Sequence, residues 1–352
     1  MAAAIAARKK GFEVTVADGS KPPIDKACGE GLMPNTLEAL RELGVAVCPG
    51  DGQILRGIRF ADAVTSADAS FSGASGLGLR RTALHEKMVE RAQECGIALL
   101  WNTPVAGLTN GGAIVGGRSM KARWIIGADG IHSRVRRWIG LDENARQEVR
   151  FAQRRHYRVK PWTEYMEIHW SGRAQAYVTP LGNNETCVAL ISRDSKMRLE
   201  DAWLEFPALA GKLHGAEASS IERGAVTVTR RLKRVHRDNI VLVGDASGSV
   251  DAITGEGLCL SFCQAIALAD ALEKGDLGAY QNAHRSFARR PHTMGWLLLM
   301  LDRYPSIRRR VLKVLENDPK LFSRLLEVHL GEDSPKFLAA TGMRLGWQCL
   351  TA

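Results

Sequence analysis

Two stretches of the chain hold residue types that could do chemistry. In the first, the apolar run 239–243 ends directly in Gly244-Asp245-Ala246. The segment 247–260, SGSVDAITGEGLCL, then supplies Gly248, Gly255 and Gly257 ahead of a helix-like segment at 258–272. A buried strand that stops at Gly-Asp, followed by glycines at a helix start, aims unpaired backbone N–H groups and a positive dipole end at one point. An anionic or electron-rich ligand suits that point. The Asp245 carboxylate can accept hydrogen bonds from ligand hydroxyls, and the glycines let the backbone come close. The plainer reading of 239–272 is an ordinary strand–turn–helix with glycine punctuation.

The second stretch is 124–137, WIIGADGIHSRVRR, where another short apolar strand ends in Gly-Ala-Asp-Gly and a serine precedes a basic helical turn. Taken together the two resemble the class A flavoprotein monooxygenase superfamily, whose members carry GADGxxSxxR and, further on, Gly-Asp with a glycine-rich helix start. Gly127, Asp129, Gly130, Ser133 and Arg136 match the first motif, and Gly244, Asp245, Gly255 and Gly257 the second. Either alone is weak; both in order, each after an apolar strand, are specific. The resemblance implies FAD as cofactor, contacted by Asp129, Gly130, Asp245, Gly255 and Gly257, with NAD(P)H as reductant.

Residues 26–34, KACGEGLMP, resemble the KxCGxGxxP loop of the geranylgeranyl-reductase-like branch of that superfamily. There the loop lies beside the flavin ring, which makes Cys28 the candidate catalytic residue and puts Cys28 and Glu30 at the edge of the space above the ring. A free cysteine is more often a small buried hydrophobe. The helix opened by Arg81-Thr-Ala-Leu84 resembles an RxxL helix whose arginine reaches the cofactor; the plain alternative pairs Arg81 with a surface carboxylate. Segment 97–108 resembles the strand that holds adenine by backbone contacts near Val105. Asp18, after the apolar run 12–17, falls where an acidic residue binds the adenosine ribose. The strand and GxGxxG loop that open such folds are missing ahead of the helix-like 2–10, so the chain reads as an N-terminally truncated form. The resemblance places Asp18, Arg81, Asp129 and Asp245 in one cleft.

These residues need an α/β frame: a Rossmann-like FAD-binding domain, an inserted antiparallel β-sheet substrate domain, and C-terminal helices. The expected boundaries are 1–53, 79–145 and 226–275 for the FAD domain and 54–78 and 146–225 for the substrate domain. The C-terminal helical region takes 276–352. Between 54 and 78, weak alternation with glycines predicts short strands that leave for the substrate sheet. Residues 149–193 are strand-rich; Met166, Ile168 and Trp170 alternate with Tyr165, Glu167 and His169, which puts one face on a core. Residues 180–184 read as a hairpin turn. Segment 195–213 reads as helical, 223–231 as a strand running back to the nucleotide domain, and the rest beyond 275 as helical with a break at Pro305.

Composition narrows the classes. At 45% hydrophobic and 24% charged over 352 residues the chain is ordinary globular protein. No apolar run reaches the ~20 residues of a membrane span. Seven scattered cysteines without a CxxC pair predict reduced thiols in a cytoplasm rather than a disulfide frame or a zinc site. The net charge of +10 gathers late, around Arg289, Arg290, Arg308, Arg309 and Arg310, mixed with Trp296, Leu297, Leu298 and Leu299. Such helices can meet an anionic membrane peripherally, although a solvated helix face explains them as well. Nothing resembles a nucleic-acid module. The expected function is an FAD-dependent oxidoreductase acting on a hydrophobic or aromatic small molecule. Monooxygenation is the leading reaction, reduction of prenyl double bonds the alternative, and a flavin-free binding protein the remaining one.

Overall fold

The computed structural model describes residues 1–142, 148–331, 342 and 344–346. The expected domain boundary at 145–146, most of 332–352, and Cys349 lie outside the described residues. Helix α1 (Ala2–Lys9) leads to strand β1 (Thr15–Ala17). Strand β2 (Gly31–Leu32) runs into helix α2 (Pro34–Leu43), which starts on a proline and stops at Gly44 in the left-handed conformation. Strands β3 (Gln53–Leu55), β4 (Gly57–Ala61), β5 (Ser66–Ser70) and β6 (Gly76–Gly78) precede helix α3 (Arg81–Glu94) and strand β7 (Ala98–Leu100). A meander of β8 (Val105–Thr109), β9 (Gly112–Val115) and β10 (Arg118–Lys121) is followed by β11 (Ile125–Gly127) and helix α4 (Arg134–Trp138).

Four long strands then build a sheet: β12 (Arg150–Arg158), β13 (Tyr165–Trp170), β14 (Ala174–Pro180) and β15 (Glu185–Ser192). The helical segment is two helices, α5 (Leu199–Glu205) and α6 (Pro207–Leu213), because Pro207 cannot continue a helix and begins a new one. Short strands β16 (Glu217–Ala218), β17 (Arg223–Thr227), β18 (His236–Arg237) and β19 (Ile240–Leu242) come next. Helices α7 (Gly257–Lys274), α8 (Leu277–Arg303), α9 (Pro305–Asn317) and α10 (Pro319–Leu330) follow.

The nucleotide side rests on two parallel pairings, β1 with β7 and β11 with β19. The large sheet runs β16-β12-β15-β14-β13-β4-β5, with β17 also on β12. Of the strands expected between 54 and 78, β4 and β5 join this sheet, but β6 pairs with β2 and β3 in a small separate sheet. Strand β17 likewise stays on β12 instead of running back to the nucleotide side. The turn between β14 and β15 places Asn183 and Asn184 at positive φ, a conformation that asparagine tolerates.

Met166, Ile168 and Trp170 do face a core, packed with α9 and α10. Trp170 meets Phe60 edge-on at 4.8 Å, and Phe60 meets Phe322 at 4.7 Å. The opposite face is not open water: Glu167 is buried and bonded to Arg59, His169 and Trp162. A second core joins α1, α2, α3 and α7. Cys259 is buried on α7, as its helical spacing from Cys263 suggests for core, and none of the six described cysteines forms a disulfide. No described helix is long and apolar enough to cross a membrane.

Two buried histidines on α8 make stability depend on pH. Burial, with smaller contributions from His292 and Arg285, pushes the His284 pKa down to about 4. His292 is also pushed down to about 4, by burial and then by Arg231. Because the folded pKa values lie below the ordinary 6.5, folding favours the neutral rings. Their stabilisation is complete above pH 6.5 and is lost as pH falls toward about 4. The urea midpoint is therefore expected to drop across that window and to drop less in His284→Gln; an equally steep drop in the variant contradicts this.

Candidate functional site

Strand β19 delivers the Gly244-Asp245 turn to the end of the nucleotide side. The turn is fixed from below: Gly244 N–H donates to Gln264 of α7 at 2.8 Å, and Ser247 Oγ donates to Gly244 O at 2.7 Å and contacts His284 Nε2 at 2.9 Å. Gly244 holds φ +62°, where a side chain is strained. The Asp245 side chain is exposed and, among the described residues, accepts no hydrogen bond. Partial desolvation still raises its carboxyl pKa, opposed by Lys26 and Arg136. A carboxylate open to solvent and without a donor suits a ligand hydroxyl.

The Asp-Gly stretch works differently from the resemblance's implication. Both Asp129 oxygens are used to cap α4, taking a hydrogen bond from Ser133 Oγ and others from the N–H groups of Arg134 (2.7 Å) and Val135 (3.1 Å). The carboxylate thus shapes the loop that presents Gly130, whose φ is +76° and beside which a Cβ would meet nothing. Arg136, 2% exposed, then ties the two motifs together. Its guanidinium donates to Ile131 O (2.8 Å), Ala246 O (3.1 Å) and Asp142 (2.8 Å).

Asp18 lies at the end of β1, its carboxylate accepting Ser20 N–H at 2.8 Å. Arg81 begins α3 and makes no ion pair among the described residues; its Nη1 is buried without a partner. An orphaned guanidinium nitrogen signals an anionic or hydrogen-bond-accepting ligand, and the surface-carboxylate alternative for Arg81 fails. Arg81, Asp18 and Lys26 all act on the Met1 amino group and on His85, and Lys26 also acts on Asp245, so these charges share one neighbourhood. Val105 opens β8 on the meander, outside the β1–β7 pair.

The KACGEGLMP loop is bolted to the large sheet, since Thr179 Oγ1 donates to Gly29 O at 2.6 Å. The Cys28 thiol accepts Glu30 N–H at 3.4 Å. Burial, reinforced by the Glu30 charge and opposed by Arg81, raises its pKa and keeps it protonated. Glu30 departs from expectation. It is 2% exposed and points inward, where Oε2 meets His156 Nε2 at 2.6 Å and Oε1 accepts Arg81 N–H at 3.0 Å. His156 Nδ1 continues to Ser220 Oγ at 2.7 Å. A carboxylate so enclosed cannot border the ring space. Sequence reasoning also missed the buried Arg150–Asp251 pair (2.7 Å), which anchors the 3₁₀ turn Ala252–Thr254 before Gly255. No local motif marks either pair.

Gly255 sits at φ +68°, and Gly257 starts α7 where an added Cβ would meet nothing. Beside them opens an apolar cavity of about 140 Å³. Gly255 and Thr254 line it from one motif, Met33 from the KACGEGLMP loop, Tyr177 from the sheet, and Met294 and Leu298 from α8. His169, on the other face of the sheet, does not line it.

The mixed α/β architecture thus presents a free strand-end carboxylate, an unpaired buried arginine nitrogen and an apolar cavity. The chain belongs to the FAD binding domain family, which matches residues 1–279. It is an FAD-dependent oxidoreductase. The menaquinone reductase of Mycobacterium tuberculosis (strain ATCC 25618 / H37Rv) is 25% identical over 330 residues, 86% of this chain and 77% of that protein. Digeranylgeranylglycerophospholipid reductase 1 of Methanopyrus kandleri is 28% identical over 304 residues, 79% of each. Among solved structures, a flavoprotein/dehydrogenase from Cytophaga hutchinsonii superposes with TM-score 0.80 at 19% identity, covering 94% of this chain and 90% of that one. A geranylgeranyl bacteriochlorophyll reductase-like protein from Thermoplasma acidophilum gives 0.73 at 19%, covering 97% and 92%. These last two share the fold.

Proposed function

We propose that the protein uses FAD and NAD(P)H to reduce a carbon–carbon double bond in an apolar, prenyl-type small molecule. The observation that carries this reading is the cavity, which joins the Cys28 loop to the Gly255 helix start and is walled by hydrocarbon. Curated relatives named as a menaquinone reductase and a digeranylgeranylglycerophospholipid reductase support it. When bound, FAD supplies the hydride that it has taken from NAD(P)H.

The chain's own groups do the rest. Asp18, Arg81 and Asp245 hold the nucleotide through its hydroxyls and phosphates, and Gly130 and Gly257 leave it room. The cavity wall orients the hydrocarbon and excludes water. Cys28 Sγ, held by Glu30 N–H, keeps its proton in the loop whose Met33 lines the cavity. Trp296 on the arginine-rich helix α8, Tyr304 at the junction of α8 and α9, and Ile307 on α9 are exposed. That surface suits peripheral contact with anionic lipid, from which such a substrate would be drawn.

The test is anaerobic turnover of geranylgeraniol by the FAD-reconstituted chain with NADPH. The expected product is a saturated double bond, with Cys28→Ala slowing turnover far more than it weakens FAD retention. A hydroxylated product that forms only with oxygen overturns the reductase reading in favour of a monooxygenase, and failure to retain flavin overturns both.

A further inference from the structure

The apolar cavity has a direction, and two elements measure it. On α10, Phe322, Leu325, Leu326 and His329 all line it, at the i, i+3, i+4, i+7 spacing of one helix face. Seven residues at about 1.5 Å each make that row roughly 10 Å long. His329 marks one end, its Nε2 donating to Thr254 O at 3.0 Å, and Asn35 Nδ2 holds the neighbouring Leu330 O at 3.1 Å. Gly255 and Met33 line this same end, beside the glycine motif and the Cys28 loop. On the sheet, Met166 and Ile168 of β13 line the cavity together with their register partners in β4, Ile58 and Phe60. Met166 belongs to the motif end, since its Sδ would stand 2.7 Å from a Cβ added at Gly31.

The other end is aromatic. Phe60 and Phe322 meet there with ring centroids 4.7 Å apart, and Trp170, itself buried, stands edge-on against Phe60 at 4.8 Å. Phe322 is buried, whereas Gly255 at the opposite end is exposed.

We infer that the Phe60–Phe322 pair is the floor of the cavity and sets the length of apolar chain that it accepts. The inference rests on the cavity being the substrate site, as proposed above. A volume of about 140 Å³ spread over roughly 10 Å admits hydrocarbon in single file, about two isoprene units of it. The wall at the floor offers only hydrocarbon, so a chain enters tail first and leaves its polar head toward Gly255. A further isoprene unit finds no apolar wall to cover it. The floor thereby fixes which double bond of a longer chain stands at the motif end, counted from the tail.

The experiment measures calorimetric binding of prenol, geraniol and farnesol, with one, two and three isoprene units, to the full chain in the presence of FAD. Geraniol is expected to bind at least ~10-fold more tightly than prenol, because its second unit is buried. Farnesol should stay within about threefold of geraniol. Phe322→Ala removes the floor, and farnesol should then bind at least ~10-fold more tightly than geraniol. Because Phe322→Ala also weakens the core, Leu326→Phe is the second variant. It sets a ring one helical turn nearer the motif end, in space that is empty, so the melting temperature should hold. Prenol should bind to it as before, while geraniol falls to within about threefold of prenol.

A gain of another ~10-fold from geraniol to farnesol in the unsubstituted protein overturns the inference, since the cavity then has no floor at Phe322. It is overturned equally if Leu326→Phe keeps the full advantage of geraniol, or loses prenol along with geraniol. If none of the three alcohols binds the unsubstituted protein, the apolar-substrate reading itself has failed and the floor with it. That result is distinct from binding that strengthens with every added unit.

Discussion

Replacing Gly78 with alanine is expected to prevent the protein from reaching its native fold. A Cβ there would stand 1.8 Å from Pro180 O and 3.0 Å from Pro180 C. The obstacle is backbone, not the end of a flexible side chain. Gly78 is itself held on both sides, paired with Gly31 of β2 and with Gln53 of β3. Pro180 is held by its pairing with Thr186. Relief therefore requires two sheets to separate by more than an ångström, which exceeds the ~1–3 kcal/mol of ordinary overpacking. The loss should consume a large part of the 5–15 kcal/mol that stabilises a typical domain. Soluble yield and the urea midpoint report it. Gly172→Ala is the control, since a Cβ there meets nothing within 4 Å. Normal folding of Gly78→Ala would mean that the small sheet is not locked against the large one.

The second large effect is expected at Glu30. Glu30→Ala leaves His156 Nε2 and Arg81 N–H without their buried acceptor. Removing one partner of a buried pair typically costs about 3–5 kcal/mol. Glu30→Gln should cost less. Its amide oxygen can still accept from one of the two donors, while Arg154 Nη1, donating to His156 Nδ1 at 3.1 Å, keeps the ring proton on Nε2. Equilibrium unfolding distinguishes the two variants. A loss below ~1 kcal/mol for Glu30→Ala, the scale of an ordinary hydrogen bond, would show that the carboxylate does not hold the loop.

What could be read from the sequence was whatever is made locally. The strand before Gly244-Asp245, the helix start at Gly257 and the Cys28 loop are each encoded by adjacent residues. Propensity and glycine placement are enough to mark them. The Glu30–His156 and Arg150–Asp251 pairs join positions far apart in the chain, and charged residues of such common type carry no spacing signal. Asp129 shows the opposite failure. Its motif is visible, but only the geometry of α4 reveals that its carboxylate caps a helix. The cavity wall was hidden for a third reason: leucines and methionines on α8 to α10 look the same whether they fill a core or line a pocket.

The parallel pairings have a consequence for how this protein can be made and divided. Ile125 waits for Ile240, and Gly57 waits for Tyr165, so each sheet closes only after the chain has visited the other. During synthesis, β11 and β4 emerge with unsatisfied edges and remain so until distant segments follow, which favours slow folding and exposes the nascent chain to aggregation. The same threading means that no single cut yields a self-sufficient half. A substrate sheet grafted from another flavoprotein would have to be exchanged at several junctions at once, β4 and β5 together with β12 to β17. Diversification of this protein is therefore expected to proceed by side-chain replacement around the cavity more readily than by trading whole modules.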